Sequence, residues 1–311
     1  MLAQPVTCDT ALPCIENVKQ LTMNTDVFRR LHAAPPMRDT RFVFQQVSPF
    51  ARSLCIEALE CGNGHAFIRM KASPRTARSA ADPRPDPAAL IGLLDHSVGY
   101  ALAGILDTGI GMSTFDMRFD FAHHQPVAGD IIGEASMVLM DKYSTSIQCA
   151  ATDATGTTVA NCTALFRLGG FPGDVAPDPK AMGNYNPDTR KGPFSNTLGL
   201  VREHGALSLQ PNNMAVIGWE SGMALHGGAI GALLMAACRN EADISGETAS
   251  GKRLASLYLR FIRPGSGALN LHASSSIERK GRAASFIVAN CFHAQGKEVA
   301  TAHATFVQCE R

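Results

Sequence analysis

The sequence predicts an α+β fold built from two similar halves. Three observations predict it: a repeat at an offset of about 140 residues, one apolar helix in each half, and a run of strands after each helix. A helix followed by antiparallel strands is typical of a sheet with the helix packed on one face. A chain of 311 residues is long enough for two such domains.

The repeat is visible in three pairs of segments that follow each other in the same order. The matching pairs are 92–101 with 232–241, 115–121 with 257–263, and 152–166 with 292–306. In the last pair, Gly156, Val159 and Ala160 match Gly296, Val299 and Ala300. One such match can arise by chance, whereas three in one order indicate a duplication.

Each half is expected to contain one long helix, at 87–106 and at 227–241. Strands are expected near 52–72, 112–122, 129–141, 144–153 and 157–168, and near 203–210, 253–263, 267–279, 283–294 and 298–308. A short helix is expected near 15–33. The domains are predicted at 1–168, with an extension over 1–45, and at 194–311, joined by a linker at 169–193 that is rich in Pro, Gly, Asp and Asn.

Composition argues against several classes of protein. The 28 basic and 27 acidic residues give a formal charge of +1, so no nucleic-acid partner and no membrane surface is expected. No apolar run reaches the roughly 18 residues of a membrane span. The nine cysteines form no CxxC pair and no cluster with metal-ligand spacing, which favours reduced thiols, a cytoplasmic location and no metal. No nucleotide or phosphate-loop fingerprint is present, so no cofactor is expected.

Two helical segments carry a resemblance to a known family. The segment LHGGAI at 225–230 opens the second helix, and GLLDHSVGY at 92–100 lies in the first. Together with the strand pattern G-x-x-V-A, they resemble the hotdog-fold acyl-CoA thioesterases of the phenylacetate-pathway (PaaI-like) type. In that family a helix begins with His-Gly-Gly, an acid follows nine residues after the His, a long antiparallel sheet wraps the helix, and domains pair. The resemblance therefore implies two tandem hotdog domains, paired as a pseudo-dimer.

Each half keeps the part of the motif that the other half lacks. Met235 lies nine residues after His226, and Asp86 lies nine residues before Asp95. An acid at the position of Met235 would lie seven residues after Gly228 on the same helix, which is about 10 Å from the helix start. That distance is too long for the two groups to act on one reacting carbon. We therefore expect Asp95 to face the segment 226–228, forming one composite site per chain, and the mirror arrangement to be inactive.

Roles follow for the four residues of this expected site. Asp95 is predicted to be the general base toward water or a direct nucleophile, although a capping or solvent-facing acid stays an alternative. His226 is predicted to orient or polarise the thioester carbonyl, with a purely structural helix-start histidine as the alternative. Gly227 and Gly228 are predicted to offer backbone N–H groups to the developing oxyanion, and tight helix packing explains glycine there equally well.

Further residues are predicted to bind substrate. Glu220 lies six residues before His226, where relatives often carry Gln or Asn, and Ser97 lies on the first helix. Arg279, Lys280 and Arg282 form a basic turn that resembles a hairpin touching the phosphates of CoA in some relatives. Core packing for Ser97 and a solvated turn for the basic residues stay open.

The resemblance implies an acyl-CoA thioesterase that releases a free acid and CoA, with acyl-CoA as its substrate and with homo-oligomers of the chain. Two alternatives stay open. The first is a non-catalytic acyl-CoA-binding protein, because neither half keeps the complete motif. The second is an acyl-CoA hydratase or dehydratase, although Asp95 lacks a His at the spacing that these enzymes commonly use.

Overall fold

The fold was determined as a computed structural model. It describes residues 48–103, 105, 112–123, 126–169, 187, 192–203, 206–219, 223–293 and 296–309. The expected extension over 1–45, its helix near 15–33 and most of the expected linker lie outside these ranges.

The first half contains helix α1 (Pro49–Ser53), strands β1 (Ile56–Gly62) and β2 (His65–Met70), helix α2 (Pro87–Ala103), and strands β3 (Met112–Phe121), β4 (Ile131–Met140), β5 (Ser144–Thr152) and β6 (Thr158–Leu168). The second half contains helix α3 (Phe194–Leu198), strands β7 (Leu200–Glu203) and β8 (Ala206–Leu209), a 3-10 turn (Met214–Val216), strands β9 (Ile217–Trp219) and β10 (Ala224–Leu225), helix α4 (Gly227–Ile244), and strands β11 (Lys252–Phe261), β12 (Leu271–Lys280), β13 (Ala284–His293) and β14 (Glu298–Gln308).

The two long helices and the four strands after each of them lie where the sequence predicts them. The segments before the helices differ, because each single expected strand is a pair of antiparallel strands. Between β1 and β2, Asn63 and Gly64 have φ angles of 51° and 75°. An Asn-Gly pair in the left-handed region forms a tight two-residue turn, which reverses the chain within the expected strand.

Twelve of these strands form one sheet in which the two halves repeat the same order. The order is β1-β2-β4-β5-β6-β3 followed by β11-β14-β13-β12-β8-β7. Strands β3 and β11 are antiparallel neighbours at the centre, where Met117 lies opposite Leu259, its own counterpart in the repeat. The described strands of the duplicated segments therefore meet around a central two-fold arrangement.

Helices α2 and α4 pack on the sheet of their own half and also against each other. Every residue of α2 from Ala88 to Leu102 is buried, as expected for a helix that is apolar all round. The closest approach lies near the start of α4. A Cβ added to Gly228 would lie 2.8 Å from the Cα of Gly92, so glycine is needed for the two backbones to meet.

Three properties of the described residues bear on the classes of function. The seven described cysteines are all free thiols, five of them buried. Within these ranges no helix is both long and apolar enough to cross a membrane. No group of three or more His, Cys, Asp or Glu side chains in the described part is placed to hold a metal ion.

Candidate active site

The carboxylate of Asp95 lies directly at the start of α4. Its Oδ2 atom accepts a hydrogen bond from the backbone N–H of Gly228, with an N–O distance of 2.6 Å. Asp95 is 6% exposed, and the two residues are 133 positions apart in the sequence. The acid of the first half and the helix start of the second half are therefore in direct contact.

His226 completes this contact as the N-cap residue of α4. It has an extended backbone, with φ −69° and ψ 137°, and its Nδ1 atom lies 3.1 Å from the N atom of Gly228. The same Nδ1 atom lies 3.1 Å from Oδ2 of Asp95. The ring of Phe50 in α1 lies against the imidazole, with a centroid distance of 4.6 Å. The histidine is thus fixed from both halves of the chain.

Glycine leaves room for a close neighbour at both positions after His226. A Cβ added to Gly227 would lie 3.0 Å from Oδ2 of Asp95, which is tighter than ordinary van der Waals contact. A Cβ added to Gly228 would collide with the backbone of Gly92 and approach Phe50 at 3.2 Å. The first glycine therefore leaves room for the carboxylate, and the second leaves room for the neighbouring helix.

The Asp95 carboxylate lies at the N-terminus of α4, which attracts negative charge. The first N–H groups of a helix have no partners within the helix, and their dipoles make the N-terminus attractive for an anion. Gly228 gives its N–H to Asp95, while the N–H of Gly227 has no hydrogen-bond partner in the described part of the chain. One backbone donor is therefore free beside the carboxylate.

A second histidine, which the sequence analysis did not assign to the site, contacts His226. Nδ1 of His96 lies 3.3 Å from Nε2 of His226. His96 is 4% exposed, and burial holds the pKa of its imidazole well below the usual value, with a smaller contribution from the neighbouring His226. The adjacency of His96 to Asp95 was a usable signal, whereas no sequence feature indicated Phe50.

The mirror position at the start of α2 is built differently. Asp86 accepts the N–H of Ala88 at 2.8 Å, and it pairs with Arg239 of α4 at 3.1 Å. Met235, which replaces the acid, is fully buried. At the mirror position, the Asp86 carboxylate therefore caps a helix and forms an ion pair, and the Met235 side chain is part of the core.

The structure does not bring Ser97 to this site. Its hydroxyl donates to the carbonyl oxygen of Leu93 at 2.8 Å, one turn earlier on α2. The side chain is fully buried and packs against Gly133 of β4. Ser97 lies two residues after Asp95, and a helix places such neighbours on different faces. The other expected substrate contact, Glu220, lies outside the described residues.

The basic turn also lies away from the site. Arg279, Lys280 and Arg282 are exposed, and Nζ of Lys280 donates to the carbonyl oxygen of Ser245 at 2.8 Å. Because Ser245 caps the C-terminal end of α4, the turn lies about 25 Å along the helix from Gly228.

Lys280 is tied to this end of the helix by an ion pair as well. Its Nζ atom lies 2.8 Å from Oε1 of Glu247, a buried acid that also binds Lys252 and Ser285. These contacts lower the pKa of Glu247 to about 2, with the hydrogen bond from Lys252 as the largest cause. Lys280 therefore has a structural partner within the chain.

Two helices wrapped by one long antiparallel sheet form a hotdog fold, and an acid of the first half contacts the His-Gly-Gly helix start of the second. Residues 216–307 match the family model described as the acyl-CoA thioesterase N-terminal domain. The match confirms the family resemblance, and it covers the half that carries His-Gly-Gly. No curated protein matches the sequence.

Solved structures agree with this fold. A tesB protein of Mycobacterium avium subspecies paratuberculosis has a TM-score of 0.56 at 10% identity, covering 81% of this chain and 95% of that one. A hot dog fold protein of unknown function from Alicyclobacillus acidocaldarius has a TM-score of 0.54 at 10% identity, covering 84% and 98%. An acyl-CoA thioesterase II, TesB2, from Mycobacterium marinum has a TM-score of 0.51 at 12% identity, covering 84% and 97%. At these identities the likeness shows the fold alone.

Proposed function

We propose that this protein is an acyl-CoA thioesterase with one composite site per chain, formed between two paired hotdog units. The observation that carries the proposal is the contact of the Asp95 carboxylate with the N–H of Gly228, beside His226. A carboxylate next to one free helix N–H group combines a base with an oxyanion donor at one place. The family match over residues 216–307 supports acyl-CoA as the substrate.

The reaction follows from the positions of these groups. The thioester carbonyl oxygen accepts the free N–H of Gly227, which polarises the carbonyl bond. Asp95 takes a proton from a water molecule, and the oxygen of that water attacks the carbonyl carbon. The negative charge that develops on the carbonyl oxygen is stabilised by the same N–H and by the N-terminus of α4. Collapse of the intermediate breaks the C–S bond, the protonated Asp95 returns its proton to the leaving thiolate, and the acid and CoA are released. In the alternative route the Asp95 carboxylate attacks the carbonyl carbon, the C–S bond breaks to release CoA as its thiolate, and water then hydrolyses the mixed anhydride and regenerates Asp95.

The mirror position is proposed to be inactive. The carboxylate of Asp86 lies at the start of its own helix and is paired with Arg239, so it does not face a free N–H group of the other helix. Met235 offers no base in place of the acid. Self-association of the chain and a cytoplasmic location stay predictions from the sequence.

The decisive experiment compares the same substitution at the two helix starts. Asp95→Asn keeps an oxygen that accepts the N–H of Gly228 but removes the base, so kcat for acyl-CoA hydrolysis is expected to fall by about 10²- to 10⁴-fold. Asp86→Asn keeps the helix cap, since Asn caps as well as Asp, and is expected to retain wild-type kcat. Thiol release from short-chain, long-chain and aryl acyl-CoA thioesters measures both.

Three outcomes contradict the proposal. Equal losses in Asp95→Asn and Asp86→Asn, with both variants folded, exclude a single composite site. An enoyl-CoA or hydroxyacyl-CoA product without free CoA indicates a hydratase or dehydratase. Binding of acyl-CoA by the wild-type protein without turnover indicates a non-catalytic binding protein.

A further inference from the structure

Three side chains at the candidate site form a continuous chain of polar contacts. Oδ2 of Asp95 lies 3.1 Å from Nδ1 of His226, and Nε2 of His226 lies 3.3 Å from Nδ1 of His96. The last ring nitrogen, Nε2 of His96, is buried and has no hydrogen-bond partner in the described part of the chain. These contacts restrict where the protons of the two imidazoles reside.

The proton of His226 is assigned by the groups around its Nδ1 atom. Gly228 has a single N–H hydrogen, and its closer acceptor is Asp95 at 2.6 Å, compared with 3.1 Å to Nδ1. A lone pair on Nδ1 would face the negative carboxylate oxygen, whereas an N–H there donates to it. The neutral imidazole of His226 therefore carries its proton on Nδ1, and its Nε2 atom is an acceptor.

His96 is the donor that this acceptor requires. Burial disfavours the charged form of His96 and lowers its pKa, so the ring carries one proton. When this proton is on Nδ1 it is donated to Nε2 of His226, and Nε2 of His96 is left as an unprotonated nitrogen. That assignment makes this buried nitrogen an acceptor that has no donor in the described part of the chain.

Resting on the proposed function, we propose that His96 is a positioning residue that orients His226 and keeps it neutral by occupying the lone pair of its Nε2 atom. A protonated His226 would form an ion pair with Asp95 and withdraw the carboxylate from its role as base. The donated hydrogen bond removes the position at which His226 would take up that proton. His96 thereby acts on Asp95 through His226, without contacting the reacting atoms.

The packing around His96 supports a fixed orientation. Tyr100 lies one turn further along α2, with a ring centroid distance of 5.0 Å to His96, and Phe50 covers His226 from α1. Among the residues that the structure describes, the titratable groups that face this pair are Asp95, Tyr100 and, beside the Tyr100 backbone, Cys61 of β1. Burial raises the pKa of the Tyr100 phenol, so this group stays neutral.

The protonation states are tested directly by ¹⁵N NMR of histidine-labelled full-length protein at pH 7. His226 is assigned by the loss of its signals in His226→Gln. In the wild-type protein we expect a neutral His226 with its proton on Nδ1 alone. A proton on Nε2 of His226 overturns the proposal. This readout needs no turnover, so its result is independent of whether the protein hydrolyses acyl-CoA.

Two variants then test the role of the hydrogen bond. His96→Leu removes the donor, so kcat is expected to fall about tenfold at pH 7 and to recover as the pH rises, with KM unchanged. His96→Asn places an amide N–H near the position of Nδ1 and is expected to restore both kcat and the pH profile. Identical profiles for the wild-type protein and His96→Leu, or equal losses in the two variants, contradict the proposal. If His96→Leu does not fold, the wild-type spectrum and His96→Asn still decide it.

Discussion

A methyl group added at Gly227 tests the contact between the two halves without removing any catalytic group. In Gly227→Ala, the new Cβ would lie 3.0 Å from Oδ2 of Asp95, whereas ordinary contacts begin near 3.4 Å. The carboxylate must therefore retreat by several tenths of an ångström, which stretches its 2.6 Å bond to Gly228. Because a misplacement of about 1 Å costs on the order of 100-fold in rate, we expect kcat to fall between about 10- and 100-fold.

Stability should change little in the same variant. Alanine is a better helix residue than glycine by up to about 1 kcal/mol, and this gain offsets the strain of the close contact. Thermal unfolding and thiol release from acyl-CoA measure the two effects separately. Gly62→Ala is the matched control, because no heavy atom lies within 4 Å of its added Cβ. Unchanged kcat in Gly227→Ala, or a loss of activity that only follows a loss of folded protein, would refute the reasoning.

The remaining predictions concern the ion pairs away from the site. Glu247→Gln leaves buried Lys252 without its acid, so the free energy of unfolding, measured in urea, should fall by about 3 kcal/mol; a loss under 0.5 kcal/mol contradicts this. The pKa of Glu247 is depressed to about 2 from an ordinary 4.5, so its contribution to the free energy of unfolding is complete above pH 4.5 and is lost as the pH falls through about 2. The free energies of unfolding of the wild-type protein and of Glu247→Gln, measured as a function of pH, should therefore converge near pH 2. Arg239→Met removes the partner of Asp86 at the mirror position and should leave kcat within about twofold, because this half-buried pair lies outside the composite site. A large loss of kcat in Arg239→Met would indicate a second working site.

The sequence was sufficient to predict the elements whose patterns are strong and repeated. Both long helices and the strands after them followed from apolar periodicity and from the duplication, which supplied each segment twice. Asp95 was expected near residues 226–228 because the first half retains only the acid of the motif and the second half retains only its His-Gly-Gly. The structure places these groups 2.6 Å apart, and their catalytic roles stay a prediction.

Other features depend on contacts that one sequence does not display. Phe50 reaches His226 because α1 packs against the 3-10 turn and β9, which precede α4, and residues 176 positions apart carry no shared pattern. Lys280 was predicted to contact a phosphate of CoA because the sequence does not show its buried partner. That partner, Glu247, lies 33 positions away, beyond the end of a helix. Charge patterns identify basic turns but do not reveal their partners within the fold.

The number of sites per chain tests the central claim most directly. Isothermal titration with a thioether analogue of the best acyl-CoA substrate, which cannot be hydrolysed, measures that number for the wild-type protein. We predict one molecule bound per chain, because of the two long-helix starts that the structure describes, that of α4 alone combines a facing carboxylate with a free N–H group. A stoichiometry of two per chain, or binding that survives unchanged in Gly227→Ala but is lost in Asp86→Asn, would contradict the composite site.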